Sequence, residues 1–129
     1  MANPLAAITF RSNLRKAQQG DRDAQFKVAQ AYVSGTGIET DYHEAVLWLE
    51  AAVDNKLNDA RYILGTFYDA GEGVPRDRKK ANALYSAAAA TGHAPSSRAL
   101  TDEGFRDEVT KAHEAVVKAK GIVPRPPRG

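Results

Sequence analysis

Apolar positions along this chain recur at three-and-four spacing in successive blocks, and short polar stretches bearing glycine separate the blocks. Spacing of that kind marks one buried face of a helix. The first block predicts a helix over 4–19, opened by Pro4, which suits a first turn, and closed by Gly20. Its apolar stripe is irregular: Leu5, Ile8, Phe10, Leu14 and Ala17. The second block predicts a helix over 22–34, with Ala24, Val28, Ala29 and Tyr32 inward. Ser34-Gly35-Thr36-Gly37 then breaks it, since two glycines one apart permit positive φ and stop a helix. A third helix is expected over 41–54, with Asp41 at the N-cap, Glu44 at capping-box spacing, and Ala45, Trp48, Leu49 and Ala52 as its packing face. Two more follow: 58–70, with Ala60, Leu64, Gly65 and Tyr68 inward, and 77–91, with Ala81, Leu84, Tyr85 and Ala88 inward.

The pattern repeats at a spacing of 36 residues. Asp23, Ala24, Tyr32, Gly35, Gly37, Asp41, Ala45, Ala51 and Ala52 fall on Asp59, Ala60, Tyr68, Gly71, Gly73, Asp77, Ala81, Ala87 and Ala88 with no insertion. A fixed period of this length signals a solenoid, in which each unit buries its apolar face on the next. A shortened third unit follows. Ala99 and Leu100 stand 36 residues after Ile63 and Leu64, but the glycine loop is missing, and Lys111-Ala112 and Ala119 match Lys80-Ala81 and Ala88 at a spacing of 31. The expected organisation is a single domain: a capping helix at 4–19, repeat one at 20–55, repeat two at 56–92, a degenerate repeat and cap at 93–121, and a proline-rich, extended tail at 122–129.

Charge sharpens this picture. Residues 1–22 carry a balance of +3, residues 23–75 of −6 and residues 76–129 of +5. A nucleic-acid binder presents a continuous basic face, so an acidic repeat core with basic ends argues against that class. The chain has no cysteine, which excludes disulfides and thiolate metal sites. No stretch has the apolar length of a membrane span, and the N-terminus lacks the pattern of a signal peptide. The expectation is a cytoplasmic protein that needs no membrane and no nucleic acid.

Little here suggests chemistry. His43, His93 and His113 lack a second ligand at metal spacing, and each is expected at the surface or its boundary. Gly71-Glu72-Gly73 lacks the third glycine of a phosphate-binding fingerprint, and Pro75 follows it, so it is expected to be a helix–helix turn. Trp48 has Leu84 as its counterpart and is expected in the core rather than stacked on a ligand. No catalytic residue, cofactor or metal is expected.

Repeat two carries Ala60, Leu64-Gly65, Tyr68, Gly71-Glu72-Gly73-Val74, Asp77, Lys80-Ala81, Ala87-Ala88 and Gly92. This set resembles the Sel-one-like repeat family, a relative of the tetratricopeptide repeat. Repeat one is looser: Val28-Ala29 replaces the Leu-Gly pair and Asn55-Lys56 the closing glycine. The resemblance implies an all-α fold, antiparallel helix pairs stacked in a right-handed superhelix, and adaptor or scaffold work of the kind frequent in bacteria. Relatives with paired cysteines in each repeat are a poor model for this chain.

In such an architecture the first helices line the concave side. The residues expected to face away from the core there are Asp23, Phe26, Gln30 and Val33 in repeat one, Asp59, Tyr62, Thr66 and Asp69 in repeat two, and Arg98, Asp102 and Phe105 in the third unit. Aromatics anchor binding surfaces and acids select a basic partner. The expected partner is another protein, held by a peptide, helix or loop that carries a basic segment. An adaptor, a dedicated inhibitor or immunity protein and, more distantly, a small enzyme all remain open on the residues alone.

Overall fold

The structure is a computed structural model and describes residues 4–120. Among these residues seven helices succeed one another: α1 (Pro4–Gln18), α2 (Arg22–Ser34), α3 (Tyr42–Asp54), α4 (Asn58–Ala70), α5 (Arg78–Ala89), α6 (Ala94–Thr101) and α7 (Glu103–Lys120). Among the described residues there is no strand, and no helix is long and apolar enough to cross a membrane. The expected tail at 122–129 lies outside the described residues.

Local chemistry sets the helix ends. The carboxylates of Asp41 and Asp77, one period apart, accept from the amides of Glu44 and Lys80 and cap α3 and α5. At the other ends, Gly35 and Gly71 adopt φ of 74° and 70°, and their amides donate to the carbonyls of Ala31 and Phe67. The next amides, of Thr36 and Glu72, donate to the same two carbonyls. Asp41 and Asp77 then donate from their own amides to Tyr32 and Tyr68. Each turn thereby satisfies the carbonyls that a helix end leaves open. The result is two antiparallel pairs, α2/α3 and α4/α5.

The pairs stack into a short solenoid, with each helix against its neighbour in the chain. Glycine is what lets them approach. Gly37, at φ 79°, presses on the backbone of Ala6 in α1, and Gly73, at φ 71°, presses on the backbone of Tyr42 in α3. A Cβ on Gly73 would stand 2.6 Å from the Tyr42 carbonyl oxygen. Ala6 and Tyr42 are themselves one period apart. Thus α1 stands to repeat one as α3 stands to repeat two: it is the helix on which the glycine turn of the next pair rests.

The core forms two clusters. The larger joins Tyr42, Val46 and Leu49 of α3 to Leu64, Phe67 and Tyr68 of α4, Tyr85 of α5, Ala99 of α6 and Val117 of α7. The smaller holds Phe10 and Ala17 of α1 against Ala24 and Val28 of α2. Trp48 is half-buried and packs on both clusters, which agrees with its reading as a packing residue. The stripe expected on α1 is corrected in part. Phe10 and Ala17 are buried, but Leu5 and Ile8 are 73% and 56% exposed, because only the face of Phe10, Leu14 and Ala17 meets α2.

The third unit departs most from expectation. Ala112 and Ala119, matched to the buried Ala81 and Ala88, are exposed. The face that α7 buries instead carries Arg106, His113 and Val117. Only Asp102 separates α6 from α7, so α7 does not follow α6 down in the manner of α5 beside α4. It packs on α6 and turns back onto α4, reaching Tyr42 of α3 through His113. Leu100 is left 38% exposed although its counterpart Leu64 is buried.

Candidate functional site

The expected stripe on the first helices divides into an open part and a closed part. In repeat one, Asp23 and Gln30 are exposed, while Phe26 and Val33 are half-buried beside them and pack on the larger cluster. Asp23 lies in the first turn of α2, where the helix dipole favours a carboxylate.

Repeat two starts the same way. Asp59 occupies the first turn of α4 and is exposed. It accepts a hydrogen bond of 3.0 Å from Nε2 of His93, whose Nδ1 pairs with Ser96 Oγ at 2.9 Å. His93 thereby pins the start of α6 to the start of α4. Tyr62 lies half-buried between two rings, 5.9 Å from Tyr85 and 5.6 Å from His93 between centroids.

Thr66 and Asp69 correct the sequence reading, for both are buried. The Thr66 hydroxyl donates 2.6 Å to the Ile63 carbonyl of its own helix. Asp69 is covered by α7: Nε and Nη2 of Arg106 donate to its two oxygens at 2.6 and 2.7 Å, and the Tyr85 hydroxyl donates at 2.9 Å. A third guanidinium nitrogen donates to Asn82. Burial first, then the Asp69 charge and hydrogen bond, holds the Tyr85 phenol far above its ordinary pKa, and the bond to Asp69 raises that of Arg106. A charge pair hydrogen-bonded through both carboxylate oxygens is tolerable in an interior, whereas either partner alone is not.

In the third unit, Arg98 lies 4.2 Å over the ring of Phe105 and pairs with Asp102 at 3.6 Å. Asp102 caps α7 by accepting from the Phe105 amide at 2.9 Å. That backbone bond is the main reason its carboxyl sits below the ordinary range. These three residues form one patch at the α6–α7 junction.

Sequence reasoning missed Arg106 and His113. The signal was present: Arg106, His113 and Val117 share one helical face at seven-and-four spacing, a stripe with a charged residue where an apolar one is usual. His113 packs edge-on against Phe67 and Tyr42, with centroids at 4.5 and 5.6 Å. Its Nδ1 is buried without a hydrogen-bond partner, and burial lowers its pKa. As a residue His113 is half-buried, at the boundary expected for it, whereas His43 is buried with neither ring nitrogen bonded, so the position expected for His43 is corrected. Among the described residues no cluster of histidine and carboxylate side chains could hold a metal ion.

One open concavity adjoins the stripe. It is a cleft of about 480 Å³ between α1 and α2, with Ala6 and Phe10 on one wall and Gln30 and Ala31 on the other.

The Sel1 repeat model matches residues 22–57 and 58–93. The chain is 37% identical over 93 residues to the chitin synthase regulator SKT5 of Malassezia restricta, covering 69% of this chain and 6% of that protein. Among solved structures, a Sel1 repeat protein from Oxalobacter formigenes superposes with a TM-score of 0.73 at 25% identity, over 88% of this chain and 50% of that one. The c5321 protein, a protective antigen of uropathogenic Escherichia coli with an SLR fold, gives 0.69 at 25% identity, over 84% of this chain and 25% of its own. The chain therefore spans half or less of each of these relatives.

Proposed function

Because this chain belongs to the Sel1 repeat family, whose members are generally protein–protein interaction modules, we propose that it binds a partner protein through the open part of its first-helix stripe and performs no catalysis. One observation carries the reading. Asp23 and Asp59, one period apart, both stand exposed in the first turn of their helices, each one turn from a half-buried aromatic, Phe26 or Tyr62. Two carboxylates on neighbouring units, in a segment with a balance of −6, select a basic stretch of peptide. The aromatics beneath supply apolar contact. Thr66 and Asp69 belong to the scaffold in this reading, and Gln30 and Val33 extend the surface along α2. A regulatory role, with an enzyme as the partner, is supported by the likeness to the chitin synthase regulator. A dedicated inhibitor would use the same surface.

The test is affinity capture of partners from the source cell with the parent protein and with an Asp23→Lys/Asp59→Lys variant, read by mass spectrometry. A partner held by the parent should be lost from the variant and retained by Lys79→Glu, on the outer helix. The opposite pattern would place binding on the convex side and overturn the proposal.

A further inference from the structure

The two repeats offer the same seam twice, and among the described residues only one of the two is filled. The second seam lies between α3 and α4. There Tyr42 and Phe67 face each other in an edge-on pair with centroids 5.4 Å apart. His113 of α7 lies against both rings, and Glu114 of α7 is near enough to Glu72 to raise its pKa. An amphipathic helix thus crosses the seam and covers it.

One period earlier, Tyr42, Phe67 and Glu72 become Ala6, Ala31 and Thr36. These three residues line the α1–α2 cleft. The equivalence is structural as well as numerical, because Gly37 meets the Ala6 backbone as Gly73 meets that of Tyr42. Burial differs as the filling does. Thr66, Phe67 and Glu72 are buried in the second seam, whereas Gln30 and Thr36 in the first are exposed and Ala31 is half-buried. Small side chains at Ala6 and Ala31 leave the volume that Tyr42 and Phe67 occupy in the next unit.

We propose that the α1–α2 cleft receives an amphipathic helix of a partner protein, crossing it as α7 crosses the α3–α4 seam, with acidic residues flanking its apolar stripe. The seam itself supplies the docking mode, since this chain already lays a helix across its counterpart. Charge supplies the sign. Lys27 is the one charged residue among those lining the cleft. It replaces Ile63 of the second seam, while α1 carries Arg11, Arg15 and Lys16 and no acid. The floor of Phe10, Ala6 and Ala31 takes the apolar stripe. The cleft borders the first-helix stripe and shares Gln30 with it, but it runs between α2 and α1 rather than from α2 to α4, and its partner differs in charge, so the two readings fail separately.

The probe is a yeast-displayed library of 18-residue helices with an apolar stripe and free choice of Glu, Lys, Gln and Ser elsewhere, selected against the full chain. Enriched helices should be acidic. They should bind Ala31→Arg and Lys27→Glu at least tenfold more weakly than the parent, and Asp59→Lys as tightly as the parent. The melting temperature of each variant reports whether it folds. Lys27, being exposed, gives a second variant should Ala31→Arg unfold. No enrichment, enrichment of basic helices, or sensitivity to Asp59→Lys in place of Lys27→Glu would each overturn the proposal. So would sedimentation showing that a second copy of the chain closes the cleft.

Discussion

Asp69 shows how one side chain can bind distant elements. It lies at the position that Val33 holds in repeat one, 3% exposed, with Arg106 and Tyr85 as its donors. Removing one member of a buried pair leaves an uncompensated charge, at a cost of about 3–5 kcal/mol. Asp69→Ala and Arg106→Met should each lose an amount in that range in urea denaturation, and the double variant should lose clearly less than their sum. Additive losses, or parent-like stability in either single variant, would mean the pair is not coupled. Gly73 makes a different kind of point, since Gly73→Val removes no contact. It puts a β-branched residue at φ 71° and aims its Cβ at the Tyr42 carbonyl. A loss of about 2 kcal/mol or more is expected, and an unshifted melting temperature would show that the turn relaxes freely. Gly73 was legible from sequence because its turn is local and recurs as Gly37. Asp69 was not, because its partner lies 37 residues on in a helix whose register the repeat does not set.

At the scale of elements, the contrast runs between α4 and α7. The range expected for α4 is the one observed, since apolar spacing and the Gly71 stop are written within the helix. The path of α7 depends on how sharply the chain turns at Asp102, and the missing glycine loop hid that turn. Its docking has a pH signature. Burial holds the His113 imidazole below its ordinary pKa of 6.5, so the unfolded chain takes up a proton that the folded chain refuses. Stability from this residue is full above pH about 6.5 and is lost as the pH falls from there through the folded value. Tyr42 and Phe67 face the ring, and Glu72 and Glu114 stand nearby. Glu72 acts in the opposite sense: burial first, then Glu114, raises its pKa, so protonation at that raised value favours the folded chain. Replacing His113 with Leu isolates the histidine. The melting temperature of the parent should fall between pH about 7.5 and about 5.5, and the fall should shrink in His113→Leu. An equal fall in both proteins would assign it to other groups.

At the scale of the molecule, the question is whether so short a solenoid unfolds as one body. A repeat array adds stability unit by unit through neighbour contacts, and long arrays lose cooperativity. Here three contacts work against separation. Trp48 packs on both core clusters, Gln25 of α2 donates to the Ala17 carbonyl of α1 at 3.2 Å while accepting from Asn55, just past α3, at 2.9 Å, and α7 ties α6 and α4 to Tyr42 of α3. The first-helix surfaces that carry Asp23 and Asp59 are thus held in a fixed relation, which a binding site spread over two units requires. Tryptophan fluorescence reports the junction of the two clusters, and circular dichroism reports all helices, so the two probes can be compared directly. Their urea midpoints should coincide in the parent, and should move together in Gly37→Val, which disturbs α1 and repeat one, and in Arg106→Met, which disturbs α7 and repeat two. Separation of the midpoints in either variant would show that the units unfold independently, and the two carboxylates would then have to be treated as separate weak sites rather than one rigid surface.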